Sequence, residues 1–172
     1  MTISQTAEYA LRAVVWLAGH AEAAMGTPEI ARNTRVPPGY LAKVLQLLAR
    51  GGLVTSAPGR KGGFRLARPA AEVSILEVIN AVDPVERIRR CPLGIESHGG
   101  ALCPLHRRLD KAIGLMEQAF AEATIAELLA EPTVAAPLCR PDTAPAKRAA
   151  GEAWLYGDFS AASRRNPAGV VP

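Results

Sequence analysis

The run CPLGIESHGGALCPLH puts two thiols and two imidazoles on one short, glycine-rich piece of chain. Cys91 and Cys103 have eleven residues between them, His98 stands in the middle and His106 lies three beyond Cys103. Thiolate and imidazole are soft donors, so the pattern suits an iron-sulfur or zinc site. The same residues also suit a Cys91/Cys103 thiol switch, a mononuclear metal, or two inert cysteines. The third cysteine, Cys139, sits far off in a Pro/Ala-rich stretch and reads as a bystander.

A second set of candidate residues is cationic. Between Ile30 and Ala71 stand Arg32, Arg35, Lys43, Arg50, Arg60, Lys61, Arg65 and Arg68, with no Asp or Glu among them. The whole chain carries a formal +4, so outside this window of +8 the sum is 4 − 8 = −4. A basic module on an otherwise acidic chain is the electrostatic footprint of a polyanion-binding surface.

The elements that would position these groups follow from periodicity. Tyr9, Leu11, Val14, Val15, Leu17 and Ala18 predict a helix from Ser4 to His20 with packing on more than one side. Thr27 as N-cap, with Pro28 and Glu29 in the first turn, starts a short helix through about Asn33. The run Arg35 to Pro38 breaks it. Leu41, Val44, Leu45 and Leu48 then mark one face of a third helix from about Pro38 to Arg50, ended by Gly51 and Gly52. Next the period changes to two. Leu53 to Ser56 and Phe64 to Leu66 read as strands about a turn at Pro58 to Gly63. The fold class is therefore mainly α with a small β-hairpin wing, a winged helix-turn-helix.

Further on, Ser74 and Glu77 have capping-box spacing and open a fourth helix through Ala81. Leu105, Leu109, Ile113, Met116 and Phe120 form the stripe of a long C-terminal helix, extended by a short segment from Thr124 to Leu129. No second long helix exists to cover that stripe, which assigns it to dimerisation; packing back on the N-terminal helices is compatible with this.

In such a fold the third helix lies in the DNA major groove. Opposite its apolar face stand Gly39, Lys43, Gln46 and Arg50, flanked by Tyr40 and Ala42. Gln suits an adenine edge, Lys a guanine or phosphate, and Tyr a thymine methyl, while Arg50 at the helix end suits the backbone. Arg60 and Lys61 at the wing tip, between glycines, suit the minor groove or phosphate, and Thr55 and Ser56 add phosphate hydrogen bonds.

The segments EYALRAVVWLA, TPEIARNTRVPPGYLAKVLQLLARGGLV and GRKGGFRLARP resemble the bacterial Rrf2 family of winged-helix transcriptional regulators over Met1 to about Glu131. That family includes the iron-sulfur cluster assembly regulator and the nitric-oxide-sensing repressor. The resemblance implies a homodimeric repressor or activator on double-stranded DNA with a partly palindromic operator, its two reading heads about 34 Å apart. Members that hold a cluster have a similar loop, with three cysteines at six-residue intervals. Here Ser97 occupies the central place. The resemblance maps a further ligand to His106, or to Glu8 on the first helix of the partner subunit. With His98 as another candidate, Cys91, Cys103, His106 and Glu8 point to a 2Fe-2S centre of mixed ligation rather than 4Fe-4S.

Length and composition bound the rest. A chain of 172 residues is one domain with appendages, not a large multidomain enzyme. The absence of an 18-residue apolar run, or of a basic-then-apolar start, speaks against a membrane span or secretory signal, and three cysteines against a disulfide framework; a reduced, cytoplasmic protein is expected. A metal- or thiol-dependent enzyme is disfavoured, because phosphate-loop, metalloprotease-helix and Cys-x-x-Cys motifs are missing, and no catalytic residue is assigned. A protein-interaction module would leave the acid-free window unexplained. The expected organisation is a DNA-binding domain over 1–82, a cofactor or sensor loop over 83–104, a dimerisation helix over 105–130, and a disordered Pro/Ala-rich tail over 131–172, including the apolar knot Trp154, Leu155, Tyr156 and Phe159.

Overall fold

The computed structural model describes residues 3–59, 62–92, 94 and 101–132. Arg60, Lys61, His98, Cys139 and the segment from residue 133 onward, named above, lie outside the described residues.

Helix α1 spans Gln5–Ala18, with the Ser4 hydroxyl accepting from the Ala7 amide at 3.2 Å as its cap. Helix α2 spans Thr27–Thr34. Its N-cap is Gly26, so Thr27 is the first helical residue rather than the cap, and Pro28 fills the first turn, where an amide donor is not needed. Arg35, at φ 56°, takes the left-handed conformation that ends the helix. Helix α3 spans Pro38–Arg50, and its Leu41, Val44, Leu45 and Leu48 are fully buried against α1 and α2. Gly52, not Gly51, supplies the left-handed residue after it, with φ +71°.

Strands β1 (Val54–Ala57) and β2 (Gly63–Leu66) pair antiparallel, Val54 opposite Leu66 and Thr55 opposite Arg65. Strand β1 starts one residue later than the alternation predicts. A third rung, which the alternation does not predict, joins the hairpin: Met25 exchanges both backbone hydrogen bonds with Phe64, at 2.9 and 2.8 Å. Met25 is buried, and its sulfur accepts from the Trp16 indole at 3.2 Å, which locks the wing's base to α1. Gly63 makes this rung possible, since a Cβ there would lie 2.4 Å from the Met25 backbone.

After a 3-10 turn at Ala70–Glu72, helix α4 (Ile75–Val82) starts with the expected reciprocal Ser74/Glu77 capping box. Helix α5 (Pro104–Glu122) is followed by α6 (Ile125–Ala130), capped by a second box between Thr124 and Glu127. Helix α6 returns to the N-terminal domain: Ile125 is fully buried, its amide bonds the Val73 carbonyl at 2.9 Å, and the Ile75 amide bonds Ala123 at 3.0 Å. By contrast α5 has no buried residue, and the expected single stripe divides. Ile113, Met116 and Phe120 are half-buried, while Leu105, Leu109 and Leu115 are 62%, 46% and 59% exposed. Among the described residues α5 packs against α4 and receives the Arg87 side chain.

Candidate functional site

Burial of one face of α3 dictates what the other face offers. Gly39, Tyr40, Lys43, Gln46 and Arg50 are all exposed, as are Thr55 and Ser56 on β1. Arg65, absent from the expected contacts, faces Thr55 across the hairpin and is exposed as well, adding a cation to the wing; the alternation of β2 is the signal that would have found it. Tyr40 is less free than a surface tyrosine. Its hydroxyl lies 2.6 Å from the Thr6 hydroxyl, and its ring meets Tyr9 edge-on at 5.4 Å. The N-terminus of α1 thus fixes one side chain on the exposed face of α3, a long-range tie that local periodicity does not reveal. Glu8 on the same helix is ion-paired to Arg12 at 2.9 Å.

The second group assembles at the start of α5. Cys103 is the N-cap residue, and its sulfur lies 3.2 Å from His106 Nδ1. Cys91 arrives from the other side of the loop, with its sulfur 4.0 Å from the same nitrogen. Its turn is closed by Gly94, whose amide bonds the Cys91 carbonyl at 3.1 Å with φ +61°. Three of the expected donors therefore converge, each half-buried. Glu8 is held by Arg12 and is not brought to them within the one chain. In type these donors fit an iron-sulfur or zinc centre, but a 2Fe-2S cluster takes four protein ligands. Among the described residues no group of three or more His, Cys, Asp or Glu is arranged to hold a metal ion.

Sequence reasoning missed the device at the base of this loop. Arg87 donates from Nε and Nη2 to the two carboxylate oxygens of Asp110, both at 2.7 Å, and from Nη1 to Glu117 at 3.1 Å. The Ile88 amide adds a bond to Asp110 at 3.0 Å. The guanidinium, first of all, holds the Asp110 carboxyl below the usual carboxylate range.

The exposed face of α3, the adjoining hairpin and the cysteine loop all lie within a stretch of chain that known proteins share. Residues 3–131 match the family described as Rrf2, iron-dependent transcriptional regulator. The chain belongs to the Rrf2 family. Among its relatives, a Mycobacterium tuberculosis protein assigned as an HTH-type transcriptional regulator is 36% identical over 133 residues, covering 74% of this chain and 81% of that protein. The Rhizobium meliloti protein aau3 is 32% identical over 137 residues, covering 75% and 85%. Of the solved structures, T. potens IscR is similar at TM-score 0.63 and 21% identity, covering 76% of this chain and 87% of that one. CymR of B. subtilis, titled the global cysteine regulator, is similar at TM-score 0.62 and 21% identity, covering 74% and 95%. At those identities the two structures show a shared fold. This Rrf2 protein is a DNA-binding transcriptional regulator and not an enzyme. No helix among the described residues is long and apolar enough to cross a membrane.

Proposed function

We propose that this Rrf2 protein acts in the cytoplasm as a homodimer whose operator affinity is set by the state of the Cys91, Cys103 and His106 site. The observation that carries the reading is the convergence of both sulfurs on one imidazole nitrogen, at 3.2 and 4.0 Å, where the cysteine loop meets α5. Residues 1–82 read DNA through Gly39, Tyr40, Lys43, Gln46 and Arg50 in the major groove. Thr55, Ser56, Arg60 and Lys61 engage phosphate or the minor groove. Residues 105–130 pair the subunits through the exposed leucines of α5. The segment 83–104 lies between these parts, so a change in its order alters the tilt and spacing of the two reading heads. A coupling of about 1–3 kcal/mol, roughly 5-fold to 150-fold in affinity, is the ordinary size of such an effect.

The group that this site would hold is an iron-sulfur cluster, 2Fe-2S with mixed ligation. Cys91, Cys103 and His106 would supply three ligands, and Glu8 of the partner subunit or His98 would supply the fourth. When bound, the cluster would supply one-electron redox chemistry and reactivity toward nitric oxide or oxygen. A second reading is a thiol switch, favoured by the Cys103 to His106 contact and the nearness of Cys91 to the same ring.

Protein isolated without oxygen decides between them. The cluster reading expects iron and acid-labile sulfide in a 1:1 ratio with visible absorbance that Cys91→Ala abolishes. Colourless protein that takes up neither on reconstitution, yet still binds DNA, overturns it in favour of the switch.

A further inference from the structure

We infer that Arg87 is a positioning residue for the cysteine site: it clasps the two ends of the loop together and so holds Cys91 within reach of Cys103 and His106. This rests on the reading of that site as the sensor.

Three observations carry it. The first is sequence distance. Arg87 lies four residues before Cys91, while Asp110 lies four after His106 and seven after Cys103, so the ion pair ties the chain just outside the two arms that carry the sulfurs. The second is geometry. Two parallel 2.7 Å bonds to Asp110, a third to Glu117 at 3.1 Å and the backbone bond from Ile88 make this a multidentate contact, unlike the single ion pairs that contribute little at protein surfaces. The third is the seat. Gly114 lies between Asp110 and Glu117 on the face of α5 that receives the guanidinium, and a Cβ there would lie 3.0 to 3.1 Å from the Arg87 Nη1, Cζ and Nη2 atoms. An acid, a glycine and an acid at i, i+4 and i+7 form a slot on a helix face that admits a flat cation.

The consequence is preorganisation. Closing a long loop costs chain entropy, and the clasp meets that cost before anything binds between the sulfurs. The clasp therefore keeps the arms that carry the two sulfurs near one another, and a bond or ligand joining them costs less chain entropy to form.

The test reads the proximity of the two thiols directly. In a Cys139→Ser background, the full-length protein is equilibrated with reduced and oxidised glutathione. Cys91 and Cys103 lose two electrons and two protons as one glutathione disulfide becomes two glutathione thiols, and the equilibrium constant gives the effective concentration of one thiol at the other. Arg87→Ala is expected to lower that constant about ten-fold. Gly114→Leu, which keeps every charge and adds a good helix former in the place of the guanidinium, is expected to lower it similarly while helix content is kept. Exchanging Arg87 and Asp110 as a charge swap should recover part of the loss. Constants within two-fold of the parent in Arg87→Ala or, should that variant unfold, in Gly114→Leu, overturn the clasp. So does a parent whose thiols fail to close at all. DNA binding by the same samples reports separately on the regulator reading.

Discussion

Glu77 accepts hydrogen bonds from the Ser74 amide at 2.9 Å and from Arg68 at 2.7 Å. The Ser74 backbone bond first, and the Arg68 contact second, hold its carboxyl below the usual carboxylate range. Because the folded value is the lower one, the stability that this residue contributes is present above the unfolded value near ~4.3 and is lost as pH falls through the folded value. Glu77→Gln, whose amide oxygen can still accept the Ser74 N–H, should therefore cost only about 0.5 kcal/mol at neutral pH, through the lost charge on the acceptor and the lost Arg68 ion pair of a side chain that is 44% exposed, and the deficit should shrink below about pH 4. Thermal unfolding of both proteins from pH 7 to pH 2.5 checks this; a constant gap over that range contradicts it. The exposed residues of α3 show the opposite economy. Lys43 and Gln46 are exposed, and among the described residues neither side chain makes a hydrogen bond or ion pair, so no folding role is evident for them.

At the scale of elements, the helices were legible because each carries a local signal. Leu41, Val44, Leu45 and Leu48 outline α3 by spacing alone, and Ser74 with Glu77 announces α4. What escaped is what long range decides. Met25 forms a one-residue rung with no alternation to reveal it. Arg87 finds Asp110 and Glu117 at separations of 23 and 30 residues, which no window detects. The cysteine site was legible in its donor types but not in its convergence on one nitrogen. The wing provides the sharpest element-scale prediction. Gly63→Ala would place a methyl carbon against backbone rather than a flexible side chain, and should cost roughly 1–3 kcal/mol by overpacking. Gly39→Ala, which meets open space, should change stability by less than about 1 kcal/mol. Equal effects in chemical denaturation would show that the Met25 rung does not hold the wing.

At the scale of the molecule, the chain divides its apolar surface between folding and association. The N-terminal domain closes over α6 through Ile125, while α5 leaves Leu105, Leu109 and Leu115 exposed. If α5 pairs the subunits, Leu109→Asp combined with Leu115→Asp should convert a dimer to a folded monomer in analytical ultracentrifugation and weaken operator binding. An unchanged dimer would assign the interface elsewhere. If the acid-free surface of α3 and the wing lies on duplex DNA, titration of a fluorescent operator duplex at increasing salt reads it most directly. Neutralising about six phosphates predicts a loss of about 1,000-fold in affinity between 50 and 200 mM salt, with Lys43→Ala shallower by about one unit of slope and Gln46→Ala unchanged in slope but poorer at discriminating one base. Binding that ignores salt, or survives both substitutions intact, would contradict the account.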